Sequence, residues 1–342
     1  MPSPALSALQ QAGGPVNSGP LVDRFGRSKK KLRLSLTDRC NFRCGYCMPA
    51  DPVWRPKDEI LSLDELTALA ELFVERLGIE QIRLTGGEPL LRRDILRLVE
   101  ALDTLRSKGL RRISLTTNGT LLARYAQSLK QYGIDDVNVS LDSLSPQRFA
   151  AMTGGGQIGP VLDGILAARD AGLSIKLNSV VIKGENEDEV VPLTEWAMGE
   201  NIPLRFIEFM PLDGRGAWRP ERVVTEAEIL NRIRALHRAA LLPRTREPAT
   251  RYLIDDHYPL GIISTVSNPF CASCDRVRVT AGGELYPCLF SPVCSDLKPC
   301  LREGSPTQLE QRIRGAIWQK GRGFSVTSAA VARPISMHGL GG

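Results

Sequence analysis

Lys31-Leu32-Arg33-Leu34-Ser35-Leu36-Thr37-Asp38-Arg39-Cys40 begins as a β-rich run and ends in a polar loop that carries a cysteine. The same grammar returns at 81–89, where a β-rich run leads into Gly86-Gly87-Glu88-Pro89. Between them, Leu66, Leu69, Ala70, Phe73 and Leu77 fall at helical spacing, which predicts a helix over 64–77 with one face to a core. Further β-rich runs follow at 112–116, 137–141, 175–181 and 204–209, alternating with helix-like stretches at 92–105, 121–131, 160–171 and 186–198. Alternation of this length implies parallel strands joined by right-handed crossovers. Six units are too few to close an eight-stranded barrel, so an open, partial (β/α) barrel or a doubly wound sheet is expected. Thr37-Asp38-Arg39, Gly86–Pro89, Thr117-Asn118-Gly119 and Asp142-Ser143 each follow a run. In parallel α/β folds such loops converge at one mouth and build the site.

The pattern changes after about residue 212. A helix is predicted over 225–238, with Thr225 as N-cap and Glu228 three residues on. Short β-like runs at 261–266, 277–280 and 284–286 follow. The chain has 342 residues, 24% charged and 42% hydrophobic, enough for a sizeable core. No stretch of 18 apolar residues is present, which excludes a membrane-spanning helix. The first twenty residues hold no Lys or Arg, unlike a secretory signal, and are read as a flexible tail in a cytoplasmic protein. Net charge is +6, and Arg supplies 34 of the 44 basic residues. This excess fits phosphate recognition through paired guanidinium bonds, and fits a codon bias equally well.

Six of the eight cysteines form two tight groups. Cys40, Cys44 and Cys47 make C-x3-C-x2-C, and Cys271, Cys274 and Cys288 make C-x2-C-x13-C. In a reducing compartment clustered cysteines bind metal more often than they pair. Structural zinc wants four ligands, whereas three thiolates suit a cubic iron–sulfur cluster with one iron left open. A zinc site with a distant fourth ligand remains the alternative. After the second pair, Arg276 and Arg278 fall on one side of a strand and read as an anion site. Cys294 and Cys300 lie outside both groups and are read as ordinary thiols.

Cys40–Cys47 resembles the radical S-adenosylmethionine (SAM) signature, and Gly86–Pro89 resembles the second hallmark of that superfamily. The second triad, the run 31–40 and the terminal Gly341-Gly342 narrow the resemblance to the MoaA family, the GTP 3',8-cyclases of molybdenum-cofactor biosynthesis. It covers the chain from about residue 23 to its end.

The resemblance implies an α/β enzyme, a radical SAM lyase. It would be built as a partial (β/α)6 TIM-like barrel over 23–240 with an iron–sulfur subdomain over 241–330, flanked by tails at 1–22 and 331–342. It implies two [4Fe-4S] clusters, one on Cys40, Cys44 and Cys47, the other on Cys271, Cys274 and Cys288. SAM cleavage at the first would give a 5'-deoxyadenosyl radical. That radical takes hydrogen from the ribose 3' carbon of GTP, and attack on C8 yields (8S)-3',8-cyclo-7,8-dihydroguanosine 5'-triphosphate. Tyr46, Gly87, Ser140 and Met210 match SAM-contacting positions. Arg33, Arg83, Thr116, Lys176, Arg276, Val277 and Arg278 match GTP-contacting positions. Gly341 and Gly342 match a tail that enters the active site. Implied partners are GTP, a MoaC-like cyclic pyranopterin monophosphate synthase downstream, and a low-potential donor such as flavodoxin or ferredoxin. A homodimer is expected, with neither membrane nor nucleic acid involved. Two rivals stand beside this reading: a peptide-maturing radical SAM enzyme, and a zinc-stapled nucleic-acid-binding module.

Overall fold

The structure, a computed structural model, describes residues 15, 18–245, 247–324 and 335–341. Strands β1 (Lys31–Ser35), β2 (Gln81–Thr85), β3 (Arg112–Thr117), β4 (Asp136–Ser140), β5 (Ser174–Val181) and β6 (Leu204–Glu208) lie side by side in chain order, all parallel. A doubly wound sheet reverses its strand order at a switch point. This sheet does not reverse through β1–β6, so every crossover steps the same way, as in a partial barrel. Helices α1 (Leu63–Glu75), α2 (Ile95–Thr104) and α3 (Leu122–Gln131) fill the first three connections. The fourth holds α4 (Pro146–Thr153) and α5 (Gly159–Asp170), and the fifth holds α6 (Val190–Gly199).

Alternation along each strand divides two environments. Leu32, Leu34, Ile82, Leu84, Ile113, Leu115, Val137, Val139, Leu204 and Phe206 are fully buried in the apolar core. The residues between them are polar or charged and face the other way. Helix α1 shows why the outer layer forms. Ser62 accepts from the Glu65 N–H while the Glu65 carboxylate accepts from the Ser62 N–H, and the face carrying Leu66, Leu69, Ala70 and Phe73 is buried.

The C-terminal part extends this same sheet at both edges. At one edge β10 (Arg276–Val279) pairs parallel with β1, followed by β11 (Glu284–Tyr286) and β12 (Ser295–Asp296), both antiparallel. At the other, β9 (Tyr258–Ile263) pairs parallel with β6 and continues into β8 (Thr250–Ile254) and β7 (Ala239–Leu241). The strands of this twelve-stranded sheet end at β12 and β7, which do not meet. Helices α7 (Glu226–Arg234), α8 (Lys298–Arg302), α9 (Pro306–Trp318) and α10 (Met337–Leu340) complete the fold. No helix among the described residues is long and apolar enough to cross a membrane.

Several boundaries differ from expectation. Helix α7 stops at Arg234, not 238, because His237 turns away to bond Asp255 in the loop between β8 and β9. Strand β9 begins earlier than expected, at Tyr258, whose hydroxyl donates to the Ile202 carbonyl. The pair β7–β8 and helix α4 were not foreseen. β7 is short and largely exposed, so its pattern carries little signal. α4 was announced by Ser145 as N-cap, Pro146 at its first position and Gly154 at its end. Leu21 is buried and its N–H donates to the Leu77 carbonyl, so packing against the core has begun by that residue.

Candidate active site

The inward face of the sheet lines a cavity of about 360 Å³. Strand register decides what meets there. Arg278, Arg33, Arg83, Ser114 and Asp136 form one row across five adjacent strands. Thr116, Asn138 and Lys176 form a second row, and Ser140, Asn178 and Arg205 a third. Neighbouring strands lie about 4.8 Å apart, so side chains in one row are immediate neighbours. Three guanidiniums in the first row thus crowd together. Burial, then Arg278 and Arg83, hold the Arg33 guanidinium well below the ordinary arginine range. Burial and Arg276 bring Arg278 down to about 10, and burial and Arg83 do the same to Arg205.

Few anions face these cations. Asp136 accepts from Arg83 Nη2 at 2.9 Å and from the Ser114 hydroxyl at 2.7 Å. Burial would raise its carboxyl, but Arg83 and Ser114 together hold it below the usual range. Arg205 Nε donates to Asn178 Oδ1 at 3.0 Å. Thr116 Oγ1 and Asn138 Oδ1 are buried without a hydrogen-bond partner among the described residues. Such atoms in a polar cavity call for a ligand that bonds them. The cavity is built for a polyanion with polar groups.

Both cysteine triads line this same cavity. The first lies on the loop after β1, and Phe42 on that loop meets Phe149 of α4 edge to face. Gly86 and Gly87 run directly beneath it. The Gly87 N–H donates to the Thr37 carbonyl and the Glu88 N–H to the Arg39 carbonyl, each at 2.8 Å. A Cβ on Gly87 would sit 2.3 Å from the Arg39 carbonyl oxygen, and one on Gly86 2.4 Å from that of Thr37. The paired glycines are therefore a requirement of backbone approach. Glu88 is fully buried and accepts from the Thr117 hydroxyl and the Asn118 and Leu90 N–H groups. Burial lifts its carboxyl to about 7 against those bonds. Tyr46 donates to Asp142 Oδ2 at 2.6 Å, which fixes its ring at the cavity wall.

All eight cysteines are free thiols. Among the described residues no three His, Cys, Asp or Glu side chains come together closely enough for a single metal ion. Each triad borders the cavity with three free thiols, the donor set that suits a cubic cluster with one iron lacking a cysteine, so the residues fit that group. The triads differ in electrostatics. Burial pushes the Cys40 thiol up to about 11 and lifts those of Cys44 and Cys47 well above the ordinary value. Burial also acts on Cys274, but Arg276 and Lys320 outweigh it and bring the thiol down to about 6.

Of the residues singled out from sequence, Arg33, Arg83, Thr116, Lys176, Arg276, Arg278, Tyr46, Gly87, Ser140 and Met210 all line the cavity. Val277 does not. Its side chain is buried on the opposite face, beside Leu32. Gly341 follows α10, and its carbonyl accepts from Arg33 and Arg278, each at 3.2 Å. Gly342 lies outside the described residues. Cys294 and Cys300 do not line the cavity; Cys294 is exposed and Cys300 packs on the core. Sequence reading missed Arg205, Asn138, Asn178 and Asp136. Arg205 was findable, since it alternates with Leu204 and Phe206 as Arg33 does with Leu32 and Leu34.

Comparison with known proteins agrees with this geometry. The Radical SAM superfamily matches residues 34–197, and the family described as Molybdenum Cofactor Synthesis C matches 202–326. The crystal structure of Streptococcus suis SuiB bound to S-adenosylmethionine superposes with a TM-score of 0.62 at 14% identity, covering 88% of this chain and 68% of that one. anSMEcpe with bound AdoMet and the Cp18Cys peptide gives 0.57 at 15%, covering 86% and 81%. At such identity the likeness concerns the fold. Together the partial barrel, the cysteine loop after β1 and the glycine pair after β2 define a radical SAM enzyme.

The particular member follows from closer relatives. A GTP 3',8-cyclase of Xanthomonas axonopodis pv. citri is 45% identical, over 95% of this chain and 100% of that protein. One of Streptomyces coelicolor is 42% identical, over 98% and 100%. The chain belongs to the GTP 3',8-cyclase family, the MoaA family of molybdenum-cofactor biosynthesis. It is a radical SAM enzyme that cyclises GTP to (8S)-3',8-cyclo-7,8-dihydroguanosine 5'-triphosphate, with [4Fe-4S] clusters and SAM as cofactors.

Proposed function

We propose the following division of labour among the residues of this cyclase. Cys40, Cys44 and Cys47 hold the SAM-binding cluster, and Cys271, Cys274 and Cys288 hold the second. When bound, the first cluster and SAM supply the one-electron chemistry that abstracts hydrogen from the substrate ribose. The chain's own residues hold and orient. Tyr46, Gly87, Ser140 and Met210 seat SAM: the Tyr46 ring is fixed by Asp142, and Gly87 borders the same cavity without a side chain to obstruct it. Arg33, Arg83, Arg276, Arg278 and Lys176 take GTP with Thr116. The guanidiniums match phosphate oxygens in pairs and are relieved of their mutual repulsion by them. Gly341 meets Arg33 and Arg278, and together with Gly342 it limits how GTP sits.

The observation that carries this reading is the row Arg278–Arg33–Arg83, placed in register on three parallel strands of a cavity that both triads line. A peptide substrate has no use for such a row. We place the barrel at 23–240 and the cluster subdomain at 241–330. We further propose a cytoplasmic homodimer. It would receive electrons from a flavodoxin- or ferredoxin-like donor and hand its product to a MoaC-like synthase, without membrane or nucleic-acid binding. The test is anaerobic incubation of reconstituted protein with SAM, dithionite and GTP, read by mass analysis. 5'-Deoxyadenosine together with a GTP isomer of unchanged mass is the expected result. In Arg33→Met the isomer should be lost while SAM cleavage persists; a full yield of isomer from that variant would refute the phosphate role of the row.

A further inference from the structure

Hydrogen bonds to the cysteine sulfurs are not alike. Cys40 Sγ accepts from the Phe42 N–H at 3.4 Å and the Asn118 amide at 3.8 Å, both neutral donors. Cys288 and Cys271 accept main-chain N–H groups of Phe290 and Phe324, each at 3.4 Å. Cys274 alone meets cationic donors: Arg276 Nη2 lies 3.7 Å from its sulfur, and an ammonium lies closer still. Lys320 Nζ lies 3.3 Å from its sulfur, and its other bond goes to the Arg276 carbonyl at 3.1 Å. Lys320 is only 2% exposed. Nearby Lys29, equally buried, is balanced by Asp23 at 2.8 Å and also bonds the Cys274 carbonyl. Lys320 has no ion-pair carboxylate among the described residues. A buried ammonium needs an anion, and the Cys274 thiolate is the one it faces.

The fold sets this position from two sides. Lys320 directly follows the α9 C-terminus, with its N–H on the Ile317 carbonyl. The next residues are tied to Arg27, whose guanidinium bonds the carbonyls of Gly321, Arg322 and Cys271 at 2.7, 2.6 and 3.0 Å. Phe324 then stacks on Phe290 at 4.2 Å. The segment that carries Lys320 therefore closes over the second triad.

We propose that Lys320 is a positioning residue of the second cluster, its ammonium offsetting the charge of the Cys274 thiolate and so raising that cluster's reduction potential above the value that Arg276 and the main-chain donors would set without it. The inference rests on Cys271, Cys274 and Cys288 being cluster ligands. A cation beside a ligand sulfur stabilises the form that carries the extra electron, and charge and hydrogen bonds at sulfur are known levers on such potentials.

The test uses full-length protein carrying Cys40→Ser, Cys44→Ser and Cys47→Ser, so that only the second cluster is present. Its potential is read by anaerobic redox titration with electron paramagnetic resonance, and its iron is counted. In Lys320→Met the reduction equilibrium should fall about tenfold, roughly 59 mV for one electron, at unchanged iron content. Lys320→Arg, which keeps the charge, should stay close to the parent. An unchanged potential in Lys320→Met overturns the proposal. Should Lys320→Met lose iron, Lys320→Gln is measured instead, since its amide still reaches sulfur without charge: a lowered potential supports the role of charge and an equal one refutes it. Absence of iron from the parent itself overturns the ligand assignment and the proposal with it.

Discussion

Gly87 shows how a single residue carries a function through what it lacks. Its missing side chain lets the β2 loop lie against the main chain of the cysteine loop, with the Arg39 carbonyl oxygen 2.3 Å from where a Cβ would be. The obstructing atom is backbone and cannot rotate away. In Gly87→Ala the two loops should part by a fraction of an ångström to an ångström. Displacements of that size at a reacting centre cost about 100-fold in rate. The expected outcome is a fall of about that factor in 5'-deoxyadenosine formation from SAM, measured anaerobically with dithionite. Parental rates in the variant would remove close approach as the reason for the glycine pair. The requirement was legible as a motif. Its cause was not, because Thr37 and Arg39 are some fifty residues away in the chain.

Two elements show how local signals and tertiary partners divide the work. Helix α7 starts as its sequence says, with Thr225 accepting from the Glu228 N–H and the Glu228 carboxylate returning the bond. Thr225→Ala should therefore cost about 1 kcal/mol, measured by denaturant unfolding against the parent. The helix end is a tertiary matter. His237 bonds Asp255 at 2.7 Å and Glu195 of α6 at 3.3 Å, and both interactions raise its imidazole above the ordinary value of 6.5. A base raised in the folded state adds stability that is complete below the unfolded value and lost as pH rises through the folded one. The melting temperature should thus decline as pH rises above about 6.5. In His237→Gln that part of the decline should be absent; identical slopes in both proteins would show that His237 is not responsible. Nothing in the run 225–238 foretold where the helix stops, since Asp255 and Glu195 arrive from other elements.

The chain as a whole is arranged so that residues 337–341 meet the first cysteine loop and the first strand. Helix α10 is tied to the cysteine loop by the bond from the His338 N–H to the Cys47 carbonyl, and His338 meets Trp54 edge to face. Beyond it the Gly341 carbonyl accepts from Arg33 of β1 and Arg278 of β10. Gly341 has φ +72°, and a Cβ there would lie 2.4 Å from Thr85. Removing Gly341 and Gly342 should abolish the GTP isomer while leaving the iron content of both clusters unchanged. Full cyclisation by the truncated protein would reduce the tail to a passive end.

By itself the sequence determined the parallel strand–helix order, the two thiolate triads, the glycine pair and the basic strand positions. Each is a local pattern, set by alternation, helical spacing or the chemistry of adjacent donors. Tertiary structure alone decided that β10 would pair with β1, which brings the second triad and Arg278 to the same cavity as the first triad and Arg33. It also placed Asp136 against Arg83 and Lys320 against Cys274. The physical reason is register. Which side chains become neighbours across a sheet depends on how strands far apart in the chain align, and that alignment is settled by burying every alternate residue in one core.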